Sequence, residues 1–175
     1  MDNQQLWNKT VEFHGHECPG LMIGYRAAIY AGKLLDHQFS EDEEIVCIAE
    51  NDTCSIDAIQ AVLGCTAGKG NLILDIRGKQ AFSFFNRNNG KSVRLVQRGK
   101  PRQMSRDESI EYYRTCPEEE MFDVKETTRS LPAKARIFES YICESCGEKT
   151  GEKWIRLLDG KKLCLDCYGQ IILEK

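Results

Sequence analysis

Residues 13–36 read FHGHECPGLMIGYRAAIYAGKLLD, and this stretch sets both the fold and the chemistry. Only three histidines occur in the chain, and two of them, His14 and His16, alternate here with Cys18. Pro19 suits a first helical turn, so a helix is predicted over Pro19–Asp36 with Cys18 at its capping position. A cysteine there feels the positive end of the helix dipole, which favours the thiolate. If the segment before it is extended, His14, His16 and Cys18 share a face, and Gly15 lets the chain curl until the imidazoles converge. Gly24, Ala28 and Gly32 form a small-residue stripe at four-residue spacing, which lets another backbone pack closely.

Working outward, EIVCIAE (Glu44–Glu50) is a short apolar run with strand character. Asp52 and Thr53 then read as a cap for the helix CSIDAIQAVL, closed by Gly64. Cys54 thereby occupies a helix start as Cys18 does, and two such sulfurs with imidazole suit zinc, with nickel, copper or iron compatible. The plain alternative is an inert buried cysteine and a histidine pair bonded to backbone carbonyls; spacing alone does not choose between them. Asp57, one turn after Cys54, could orient a ligand or shuttle a proton, or be a simple early-helix carboxylate. His37 reads as solvated, and Cys47 and Cys116 carry no assigned role. NLILDI, AFSFFN and SVRLVQ are predicted strands, the last two joined by the hairpin signal Asn89-Gly90. DESIEYYRTC and EEEMFDVKET read as two helices broken by Pro117. The expected class is α+β, a mixed core with an antiparallel-rich central sheet and flanking helices.

SLPAKA, around Ser130–Ala135, marks a boundary beyond which the chain becomes rich in cysteine and turns. Cys143, Cys146, Cys164 and Cys167 form two C-x2-C knuckles, which meet the tetrahedral demand of Zn²⁺. A hairpin at Asp159-Gly160 lies between the pairs and a terminal helix follows, an order that resembles a treble clef or zinc ribbon. So short a segment buries little apolar surface, so metal supplies much of its folding energy. Four cysteine ligands close the site, which makes it structural.

The 175 residues are 41% hydrophobic and 29% charged, with a net charge of −3, so the whole chain has no bias toward nucleic acid. No apolar run is long enough to span a bilayer and the N-terminus lacks a signal-peptide core, which points to a cytoplasmic protein. Nine cysteines in that compartment stay reduced. Arg77–Arg106 holds nine Lys or Arg and no acidic residue. That segment could track phosphates, with Phe82, Phe84 and Phe85 stacking bases, but a charged hairpin answered by the acidic stretch Asp107–Asp123 is the simpler reading. GCTAGKGN (Gly64–Asn71) fails the phosphate-loop spacing and lacks its Ser or Thr, leaving Lys69 as an anion-contact candidate.

FHGHECPGLMIGYRAA together with NDTCSIDAIQAVLGCTAGKGNL resembles the signature of the formylmethanofuran dehydrogenase E-subunit family. The resemblance covers roughly residues 8–130, and the C-terminal cysteines resemble a treble clef appended in some relatives. It implies an α+β core over 1–130, a linker over 131–140 and a four-cysteine zinc finger over 141–175. It also implies an intertwined homodimer and a metal site in a cleft, with His16, Cys18 and Cys54 as ligands and His14 and Cys65 nearby. The catalytic candidates are Cys54, Asp57 and Lys69. The expected role is that of a metal-binding protein, accessory to or active in one-carbon or pterin-linked redox metabolism. The alternative is an adaptor whose finger contacts protein or nucleic acid while the core senses a metal or ligand.

Overall fold

The computed structural model describes residues 2–173. Its first element was not expected from the sequence: α1 (Asn3–His14) is a helix, so His14 is not in an extended strand. Asp2 accepts from the Gln5 N–H while the Gln5 side chain returns to Asp2, a reciprocal cap that satisfies two otherwise orphaned donors. Gly15, at φ 93°, ends the helix in the left-handed region. The histidines therefore converge through a helix end and a reversal.

α2 (Pro19–Leu34) starts as expected, with the Cys18 sulfur accepting from the Leu21 N–H at 3.3 Å. β1 (Ile45–Ala49) leads into α3 (Ser55–Leu63), which Gly64 closes at φ 69°. A Cβ on Gly24 would lie 2.2 Å from the Ser55 carbonyl oxygen, so α2 and α3 touch backbone to backbone, as the small-residue stripe predicted. Asp52 does not cap α3; the residue before the helix is Cys54, whose side chain makes no capping bond. Instead the buried Asn51 Oδ1 accepts from the Thr53 N–H and from the Thr53 and Ser55 hydroxyls, fixing the turn that presents Cys54.

The sheet adds β2 (Leu72–Leu74), β3 (Ala81–Asn86), β4 (Ser92–Gln97) and β5 (Phe122–Lys125) in the order β2-β1-β3-β4-β5. Only β1 and β2 run parallel, joined through α3. FDVK was expected to be helical but is strand β5, because Phe122–Lys125 pairs with Arg94–Gln97 along the free edge of β4. α4 (Arg106–Thr115) and the one-turn α5 (Glu118–Met121) precede it. Arg26 of α2 donates to the carbonyls of Tyr113, Arg114 and Cys116, satisfying acceptors that the end of α4 leaves open. The main core lies between the helices and one sheet face, with Leu21, Met22, Ile59, Phe82, Phe84 and Leu95 fully buried.

The chain divides after Ala135. Residues 131–135 belong to the core and not to a free linker. Arg87 donates to the Pro132 and Ala133 carbonyls, and the Ala135 N–H donates to the Glu43 carboxylate. The second unit contains β6 (Ser140–Ile142), β7 (Lys149–Gly151), a 3-10 turn (Glu152–Trp154), β8 (Arg156–Leu158), β9 (Lys161–Leu163) and α6 (Leu165–Leu173). Asp159 and Gly160, at φ 49° and 79°, turn the β8–β9 hairpin. Among the described residues no helix is long and apolar enough to cross a membrane.

Candidate metal centres

In the C-terminal unit the four cysteine sulfurs lie within 4.8 Å of one another. The first knuckle, between β6 and β7, turns at Gly147 with φ 77°. The second follows β9 and enters α6, and the Cys164 N–H points at the Cys143 sulfur at 3.3 Å. The Cys146 and Cys164 N–H groups hold the Cys143 thiol down to about 6. The Glu148 N–H lowers Cys146, but the Cys143 side chain, burial and the other two thiols outweigh it and push that thiol up to about 12. The clasp thus sets one acidic thiol, Cys143, beside a neighbour, Cys146, whose thiol holds its proton more firmly. Four converging sulfurs with N–H groups aimed at them fit a structural zinc.

The second cluster sits where α1 ends and α2 and α3 begin. The ligand atoms of His14, His16 and Cys18 all lie within 4.8 Å of one another. His14 Nε2 is 3.8 Å from the Cys18 sulfur, and the two imidazole centroids are 4.6 Å apart. Cys18 is buried, His14 partly so, and His16 exposed, so the cluster has an inner wall and an open side. Cys54, at the start of α3, lies on the Cys18 side but outside this three-donor set: a Cβ on Gly20 would lie 3.9 Å from both the Cys18 and the Cys54 sulfur. Burial raises the Cys54 thiol, and the neighbouring Cys18 sulfur raises it further. Asp57 Oδ2 meets His14 Nδ1 at 2.7 Å.

The reversal that carries the ligands is held through Glu17. Its carboxylate accepts from Trp7 Nε1 at 3.2 Å and lies 3.5 Å from Arg114, while its carbonyl accepts from Arg106 at 2.6 Å. Sequence reasoning passed over Glu17, Asn51 and Gly20. Glu17's place inside HGHEC was the available signal, whereas Asn51 and Gly20 act through contacts that only the fold creates.

Cys65 is not brought to this cluster. It follows the far end of α3, so nine helical residues separate it from Cys54, roughly 14 Å of helix. Its sulfur donates to the Ile45 carbonyl at 3.5 Å, and burial pushes its thiol up to about 12. Lys69 also lies at that end, with its ammonium on the Ser40 carbonyl at 2.7 Å, anchoring a loop. A groove of about 980 Å³ runs past Leu6, Lys9, Ile29, Phe39 and Val62 and includes none of His14, His16, Cys18 or Cys54. In the basic stretch Phe82, Phe84 and Phe85 are buried in the sheet, with no ring free to stack bases. Arg87, Arg94 and Arg98 are paired with Glu43, Glu50 and Asp123.

The profile of the FmdE family, described as molybdenum formylmethanofuran dehydrogenase operon, matches residues 13–128. The prokaryotic dksA/traR C4-type zinc finger matches residues 136–171. A curated relative, the probable S-adenosyl-L-methionine-binding protein of Archaeoglobus fulgidus, is 31% identical over 198 aligned residues. That alignment takes in 94% of this chain, but the chain spans only about half (53%) of the relative's length. The crystal structure of a tungsten formylmethanofuran dehydrogenase FmdE-like protein from Syntrophus aciditrophicus superposes with a TM-score of 0.68. Its sequence identity is 24%, with 95% of this chain and 92% of the other covered, and the likeness establishes a shared fold. With two-thirds of its length inside the family profile and four clustered cysteines in its finger, this chain belongs to the FmdE family and carries a C4 zinc finger.

Proposed function

We propose that the core is a second, functional metal centre, held by His16, Cys18 and Cys54 with His14 as a further ligand. The observation that carries this reading is the convergence of two imidazoles and a thiol within 4.8 Å at the reversal between the end of α1 and the start of α2. Mixed nitrogen and sulfur donors suit Zn²⁺ or another transition metal, and the exposed His16 side leaves a direction from which water or substrate can approach. Such an ion supplies Lewis acidity or an activated water when bound. The chain's own contribution is to hold His14 from Asp57, fix the His16–Cys18 loop through Glu17, and present Cys54 from the Asn51 turn. Lys69 has no part in this chemistry.

The family supports a place in one-carbon or pterin-linked redox metabolism, as a metalloenzyme or as an accessory, in a cytoplasmic homodimer. The test is elemental analysis of the purified chain. Wild type is expected to carry two metals per chain, while Cys18→Ala and Cys54→Ala fall to one. If both variants keep the full complement, the core centre does not exist.

A second reading, adaptor rather than enzyme, draws on the exposed Trp154 and Leu157 of the finger, which favour a protein partner over nucleic acid. The name of the Archaeoglobus relative supplies a further ligand to try. The groove past Phe39 is of small-molecule size, and calorimetry with S-adenosylmethionine tests whether this chain binds that ligand at all.

A further inference from the structure

We infer that Asp57 is a positioning residue that fixes His14 as its Nδ1–H tautomer and turns Nε2 into the cluster. Its bearing on metal binding rests on the core centre proposed above, whereas the tautomer does not. An ionised carboxylate only accepts, so at a 2.7 Å contact the proton must sit on Nδ1 of the neutral ring. That leaves the Nε2 lone pair on the side where the Cys18 sulfur lies, 3.8 Å away. The His14 side chain is only 10% exposed, so the ring has little room to turn.

Asp57 is itself held. Gln60, one turn further along α3, donates from Nε2 to Asp57 Oδ1 at 3.2 Å, leaving Oδ2 for the imidazole. Gln60, Asp57 and His14 therefore form a chain of side-chain bonds leading from α3 to the end of α1. His16, the exposed member of the pair, has no orienting hydrogen bond among the described residues. Its ring lies against that of His14, with centroids 4.6 Å apart. The two imidazoles are thus unequal: one has a preset lone pair, and the other turns to meet what binds. A carboxylate behind a ligating imidazole also raises its basicity, and loss of such a partner costs about 10- to 100-fold in metal affinity.

Three histidines make the experiment tractable. Long-range nitrogen–proton NMR of the metal-free protein, at a pH where the rings are neutral, should show His14 as the Nδ1–H tautomer in wild type. Asp57→Ala and Asp57→Asn should both lose that single form. Chelator competition on the loaded chain should then show core-metal affinity about 10- to 100-fold weaker in both variants. Asp57→Glu should recover part of the loss, and the finger zinc should be unaffected. A mixed or Nε2–H tautomer in wild type, or affinities within twofold across the variants, would overturn the inference. A wild type that takes up one metal yet keeps His14 as Nδ1–H would refute the core centre, and with it Asp57's role toward a metal, while upholding the tautomer.

Discussion

The two cysteine-bearing sites of this chain solve different problems. In the C-terminal clasp four sulfurs come from two turns close in sequence, and backbone N–H groups aim at them from within the same small unit. In the core, Asp57 meets His14 at the end of α1, the Leu21 N–H meets the Cys18 sulfur at the cap of α2, and Cys54 stands at the start of α3. The clasp is local and closed, and its four sulfurs fit a structural zinc. The core cluster is assembled where buried helices meet and leaves one imidazole exposed. A closed set of like donors preserves shape, whereas an open set of unlike donors can do chemistry.

The largest expected effect separates the two directly. Cys164→Ser should unfold residues 136–173, since structural zinc contributes on the order of 10 kcal/mol to modules of this size. Limited proteolysis would show the tail digested and a resistant core left behind. A core that also collapses would break the distinction.

The converse substitution is Gly24→Ala. A methyl group 2.2 Å from the Ser55 carbonyl oxygen cannot be absorbed by a rotamer change, so α2 and α3 must part. Core stability should fall by about 3 kcal/mol, near the upper end for overpacking. Occupancy of the proposed core centre should drop with it while the finger keeps its zinc. Thermal unfolding with metal analysis of the same samples checks both.

The smallest effect is in thiol titration, followed by the ultraviolet absorbance of thiolate in metal-free protein. Cys54, in the core that stays folded, should ionise above an ordinary thiol, because of burial and the adjacent Cys18. Folding opposes its ionisation, so its contribution to stability is present below the ordinary thiol value and is lost as pH rises through the elevated one. Cys54→Ala should remove one thiol from the high-pH part of the titration. If Cys54 ionises as readily as an ordinary thiol, this electrostatic reading fails.

Much of this was legible in the residues, for identifiable reasons. The cap at Cys18, the stripe of Gly24, Ala28 and Gly32, the closure at Gly64 and the cysteine knuckles are signals written within one or two turns of chain. Helix α1 was also legible, through Asp2 with Gln5 and the apolar spacing of Leu6, Trp7 and Val11, but the polar character of the segment masked it. With it went the correct view of His14, whose partner Asp57 lies 43 residues away. Strand β5 was not legible. FDVK has no strong preference of its own and becomes a strand because β4 offers an edge. Cys65 shared a sequence block with Cys54, yet a helix separates them, since closeness along the chain becomes distance when the chain is a rod.

Helix α2 touches almost everything that matters in the core. Its cap carries the inner sulfur, Gly24 bears on the α3 backbone, and the Arg26 guanidinium grips the last carbonyls of α4. Sliding it by one residue, about 1.5 Å, would displace the sulfur, jam the glycine contact and release the guanidinium together. The helix therefore behaves as a keel, admitting no small excursion of its own. Any give in the pocket has to come from the opposite bank, where a lone imidazole can swing without disturbing a rib of the hull.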